Sequence, residues 1–132
     1  MSAELEKGLY SKLSGASPQT LAAGRVYPIL PQGVTFPAIR YQRIDTQRRL
    51  ALDSTVGVTS ATVQVDCMAE SYSEAKTLAD SVRTLLHGYS GAWGTLTARL
   101  VSLESENDFY EQDGDRVTHW VTHRYMIWTN MD

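Results

Sequence analysis

The 132-residue chain carries 12 basic and 15 acidic side chains, a formal charge of −3, with 42% hydrophobic and 9% aromatic residues. This length and composition predict one domain over 1–132 that folds around its own core, and they exclude a multidomain enzyme. They also exclude the strong positive field on which non-specific nucleic-acid binding draws, and no apolar run approaches the ~20 residues needed to cross a bilayer. The first residues lack the apolar core of a signal peptide, so a soluble, cytoplasmic product is expected. The single cysteine, Cys67, has no internal disulfide partner and falls in an alternating apolar run, which predicts a buried free thiol.

Leu5, Leu9 and Leu13 recur at intervals of four, which predicts a short amphipathic helix over 3–13 ended by Gly15 and Pro18. Residues 19–24 read as a connector or a single helical turn. A small strand at 25–27 stops at Pro28, and Pro28, Pro31 and Pro37 make the next ten residues an extended loop, because each proline removes a ladder donor. Residues 38–45 alternate as a strand, with Ile39, Tyr41 and Arg43 opposed to Arg40, Gln42 and Ile44. Arg43 leaves the inward face ambiguous. Residues 46–57 either extend that strand or form a projecting arm, and the arm is the favoured reading.

Residues 58–69 are the clearest strand, with Val63, Val65, Cys67 and Ala69 on one face. Ser71 and Glu74 have the spacing of a capping box, and Ala75, Leu78, Ala79, Val82, Leu85 and Leu86 form a helical apolar stripe that Gly88 ends. A glycine-rich loop with Trp93 follows at 89–94. Residues 95–105 form a strand with Leu96, Ala98, Leu100 and Ser102 opposed to Thr97, Arg99, Val101 and Leu103. An acidic hairpin spans about 104–116, turning at Asp113-Gly114, and residues 116–128 complete the fold as a long strand. These elements predict an α+β fold: an antiparallel-dominated mixed sheet with two main helices packed on one face.

No catalytic, metal or cofactor constellation emerges. His119 and His123 would share a metal on a helix, but on a strand four residues separate them by about 13 Å. The acidic hairpin lacks the spacing of a calcium loop, and Cys67 lacks the surroundings of a nucleophile. Trp120, Tyr125 and Trp128 on the last strand suggest an aromatic platform for single-stranded nucleic acid, which the adjoining acidic hairpin opposes.

Landmarks in a fixed order are more informative. They are Gly24-Arg25-Val26-Tyr27-Pro28 with Pro31-Gln32-Gly33, then Phe36-Pro37-Ala38-Ile39-Arg40-Tyr41-Gln42. Val63-Gln64-Val65-Asp66-Cys67-Met68-Ala69 follows, running into Ser71-Tyr72-Ser73-Glu74-Ala75. Leu78 to Leu86 and the closing Tyr125-Met126-Ile127-Trp128 complete the set. Taken together they resemble the tail-completion, or tail-terminator, proteins of long-tailed bacteriophages and prophages. The resemblance covers nearly the whole chain.

It implies a structural virion protein, not an enzyme, without cofactors, that caps the head-proximal end of the tail tube as a ring, usually of six copies. Such a ring stops tube polymerisation and presents a surface to the head. The implied partners are further copies of itself, the tail tube protein and the head connector or stopper protein. No membrane and no specific nucleic acid are implied, although genome DNA would pass through the ring. The implied location is the virion, after assembly in the host cytoplasm.

Ring closure requires one surface of a subunit to meet a different surface of its neighbour. The expected interface places Leu50 and Leu52 as apolar anchors and Arg48 and Arg49 opposite Glu104, Glu106 or Asp108 of the next copy, with exposed strand edges available to pair. A connector or stopper of the same virion neck and a small nucleic-acid-binding module are the alternative readings.

Overall fold

The computed structural model describes residues 4–14, 25–30, 32–50, 57–94 and 96–130. In chain order these form α1 (Glu4–Leu13), β1 (Val26–Tyr27), β2 (Ala38–Leu50), β3 (Gly57–Ala69), α2 (Tyr72–Leu86), β4 (Gly91–Trp93), β5 (Leu96–Asp113) and β6 (Arg116–Asn130). The strands make one six-stranded sheet in the order β1-β2-β3-β6-β5-β4. Only the β1–β2 pairing is parallel, so the fold is α+β with a mixed sheet.

The sheet curls. α1 contacts β2 near one edge and β4 at the other. Four strand spacings of ~4.8 Å separate those positions on a flat sheet, nearly twice the ~10 Å width of a helix. The strands must therefore bend around α1 into a half-barrel. A ten-residue helix is marginal alone. Leu5, Leu9 and Leu13 hold it, each essentially buried and each stabilising by about 2 kcal/mol.

α2 begins as its sequence predicts. Ser71 Oγ accepts from the Glu74 amide at 3.1 Å and donates to the Glu74 carboxylate, a variant of the capping box in which the glutamate meets the hydroxyl. Gly88, at φ +80°, takes the left-handed conformation after the last turn. Ala75, Leu78, Ala79, Val82 and Leu86 are buried, and they share one core with the α1 leucines and with Val63, Val65, Cys67, Tyr125 and Ile127 of the sheet. Cys67 is a buried free thiol, as expected.

Several expectations are corrected. Residues 91–93 are not loop but strand β4, and Trp93 is fully buried, its Nε1 donating to the Leu5 carbonyl at 3.0 Å. β2 runs on to Leu50, taking up the first part of the expected arm, because β3 and β6 continue beside it and supply a template. Residues 51–56 lie outside the described residues, as does the expected connector at 19–24. The acidic segment after Glu104 forms the second half of β5, hairpinned to β6 as expected, but the turn falls at Gly114 and Asp115, one residue later than the expected Asp113-Gly114.

Bulges explain where alternation misleads. Register shifts between Ala98 and Leu100 and between Leu103 and Ser105 reverse the faces of β5 twice, so Val101 is buried and Leu100 is exposed, opposite to a strict alternation. A third shift, between Arg43 and Asp45, lets Arg43 and Thr46 share the helix-facing side. There Arg43 donates to Glu6 of α1 at 2.8 Å and to Thr46 Oγ1 at 3.0 Å. The charge that made the inward face of β2 ambiguous is a clamp on α1.

Gly8 tests this packing. A Cβ there would lie 2.4 Å from Trp93 Cδ1 and 2.9 Å from the Trp93 carbonyl carbon. Alanine gains about 1 kcal/mol in helix propensity, but overpacking against a fixed ring and backbone costs about 1–3 kcal/mol or more and threatens the Leu5 bond. Gly8→Ala is expected to lower stability in urea denaturation. An unchanged or raised midpoint would show that α1 is not seated on Trp93.

Candidate assembly surface

Counting strand partners outward from the Asp113–Arg116 turn sets Glu106 opposite His123, Asp108 opposite Val121 and Tyr110 opposite His119. The N-terminal turns of α2 lie over this ribbon. Lys76 donates to Glu106 at 2.7 Å and to Asp108 at 3.2 Å, and the Tyr72 hydroxyl donates to Asp108 at 2.9 Å. The other Glu106 oxygen meets His123 Nε2 at 2.8 Å, and His123 Nδ1 meets the Tyr125 hydroxyl at 2.8 Å.

The protonation states follow from this chain. Hydrogen bonding from Lys76 holds the Glu106 carboxyl below its ordinary range despite partial burial, so it is ionised and only accepts. His123 Nε2 must then carry the proton and donate to it. Burial pushes the Tyr125 hydroxyl far up, so it keeps its proton and donates to the bare Nδ1. Burial also pulls His123 below its usual range, outweighing the attraction of Glu106. The Lys76, Glu106, His123 and Tyr125 side chains are thus each hydrogen-bonded to a neighbour in this series.

A second polar cluster lies on the opposite face of the sheet. Asp66 is buried and accepts from Arg40 Nε at 2.9 Å, from Thr122 Oγ1 at 2.7 Å and from Gln64. It joins β2, β3 and β6 across one row of the sheet. Among the described residues, no group of three or more His, Cys, Asp or Glu side chains could hold a metal. No helix among them is long and apolar enough to cross a membrane.

Of the residues expected at an interface, Arg48, Arg49 and Leu50 occupy the end of β2, paired in register with Thr59, Val58 and Gly57. Leu52 lies outside the described residues. Glu104 is exposed at the second bulge of β5, whereas Glu106 and Asp108 are engaged by Lys76 of the same chain. The sequence reading missed that engagement, since the register that brings Glu106 to His123 comes from a turn at Gly114 and Asp115 and not at the expected Asp113-Gly114. Tyr125 lies buried on the helix-facing side, while Trp120 and Trp128 are on the other, so the three rings do not compose one platform. Trp120 stacks instead on Phe109, at 5.6 Å between ring centres.

The buried histidine sets a pH dependence. Because its folded pKa is below the ordinary 6.5, the unfolded chain binds a proton that the folded chain refuses, and stability falls as pH drops through 6.5. Glu106, also lowered, adds a loss in the same direction as pH falls through 4.5. The melting temperature is expected to fall between about pH 7.5 and about pH 5.5, and to fall less in His123→Gln. Equal slopes for both proteins would remove His123 as the cause.

Comparison with known proteins places this geometry. The family model described as tail completion protein gp17 matches residues 7–130. A chain from a solved structure titled "Virion of native gene transfer agent (GTA) particle" matches with a TM-score of 0.72 and 15% identity. That match covers 96% of this chain and 95% of the other, a likeness of fold. No match was found among curated protein sequences. With nearly its whole length matched, the chain belongs to the tail completion protein gp17 family, whose members are structural components of the phage virion tail and not enzymes.

Proposed function

We propose that the protein caps the head-proximal end of a phage tail tube as a closed ring of its own copies, usually six, stopping tube polymerisation and offering the surface on which the head connector or stopper docks. Membership of the tail-completion family is the observation that carries this reading. The fully internal satisfaction of the polar clusters is consistent with work by shape, since no described side chain is held ready for chemistry.

In this reading the end of β2 and the residues after it, with Arg48, Arg49, Leu50 and Leu52, meet the acidic half of β5 on the next subunit. Glu104 is exposed there, and Glu106 and Asp108 keep part of their surface in water while holding Lys76. Opposite charges of this kind set register and association rate more than net affinity. The assembled ring leaves a central passage for genome DNA, and assembly takes place in the host cytoplasm.

Tails made without the protein are expected to be of unregulated length and unable to join heads in electron micrographs. Normal tails joined to heads in its absence would refute the capping role. The double variant Leu50→Asp, Leu52→Asp is expected to fold but not to form rings by light scattering. Rings from that variant would remove these leucines from the interface. Arg48→Glu with Arg49→Glu is expected to weaken assembly, and assembly of the unaltered protein should weaken as salt rises. Salt-independent assembly would remove charge pairing.

A further inference from the structure

The sheet ends in two edges that its own short elements cover only in part. β1 pairs with β2 at Ile39 and Arg40 alone, so among the described residues no strand pairs with the outer side of β2 over 41–50. β4 covers β5 at residues 96–98, and the segment after α2 covers the next stretch. There Gly88 donates to the Val101 carbonyl, Val101 to the Tyr89 carbonyl and Leu103 to His87 Nδ1. Beyond that, among the described residues, no strand pairs with the outer side of β5 over 104–113. Each bare stretch is ten residues long. Long unpaired edges recruit other strands, and folds normally blunt them.

We propose that the bare edge of β2 on one copy pairs, antiparallel, with the bare edge of β5 on the next, so that the curled sheets join into one continuous sheet around the ring. The proposal rests on the ring reading above and names the contact that closes it. Charge selects this pairing over the alternatives. Residues 41–50 carry three arginines and one aspartate, a formal charge of +2, while residues 104–113 carry five carboxylates and no base, −5. Lys76 offsets one of those carboxylates and Glu6 one of the arginines from within the chain, and the two stretches stay opposite in sign. An isologous β2–β2 or β5–β5 contact would set like against like, which is destabilising across a strand pair, whereas β2 against β5 is complementary.

Direction agrees. The steps from β2 to β3, β3 to β6 and β6 to β5 are all antiparallel, so β2 and β5 run in opposite senses within one copy. Rotation about an axis along the strands leaves each sense unchanged, and the next copy's β2 therefore arrives antiparallel to β5 without strain. Each edge also carries a bulge, between Arg43 and Asp45 and between Leu103 and Ser105, which restricts the registers available.

Cysteine pairing between copies tests the contact. Thr46→Cys and Gln47→Cys, successive residues of β2, are each mixed with copies carrying Asn107→Cys, Phe109→Cys or Glu111→Cys, in the presence of purified tail tubes. Cys67 is buried and stays out of the reaction. Disulfide dimers are expected between a β2 variant and a β5 variant and not in any single-variant sample. In the unaltered protein, amide exchange over 45–50 and 104–113 is expected to slow by about tenfold or more on assembly. Rings of normal mass with no cross-link from any pair and unchanged exchange would overturn the edge pairing and leave the capping role standing, as would cross-links between like variants. A protein that stays monomeric even on tube ends would overturn both.

Discussion

A curled sheet has a hollow that must be filled from within, and here the filling is α1 with Trp93 beneath it. The indole gives up its one donor to the Leu5 carbonyl, and Gly8 provides the space that lets helix and ring approach. Without that close approach the two ends of the sheet could not both reach the same short helix. The Glu6–Arg43 ion pair adds a polar fastening on the β2 side, so α1 is held by apolar burial below and by charge at its flank.

The polar clusters divide the remaining work. Lys76, Glu106 and His123 bind α2 to the distal ribbon of β5 and β6, and Asp66 ties three strands together on the opposite face. Buried polar groups are costly unless satisfied, and both clusters are satisfied within the chain. A triplet such as Tyr125–His123–Glu106 has the residue types of a proton relay. Its tyrosine and histidine are fully buried, and its carboxylate is bound to an ammonium, which is what a structural brace requires. This agrees with membership of a structural family.

Much of this was legible in the amino-acid order. The capping serine and apolar stripe of α2 define a helix locally, and Val63, Val65, Cys67 and Ala69 of β3 are buried as their alternation predicts. β4 was not legible, because Gly-Ala-Trp is too short to show a period and becomes a strand only by pairing with β5. The curl depends on contacts between distant segments and leaves no local pattern. Of the expected interface residues, the chain order alone suggested Glu104, Glu106 and Asp108 as equivalent. Their separation into one exposed acid and two braced ones depends on where Lys76 falls, one helical turn beyond Tyr72.

The bulges at Ile44, Arg99 and Glu104 have a consequence for how this chain tolerates change in length. One added residue normally turns a strand inside out, sending its core side chains to water. Here three such extra residues are absorbed, and the paired residues on either side keep their partners and their faces. Deleting Ile44 would therefore remove only the bulge, leaving Arg43 opposite Val63 and Asp45 opposite Thr62 in a regular ladder. Loss of a residue that has its own partner across the ladder would instead exchange the faces of the segment beyond it.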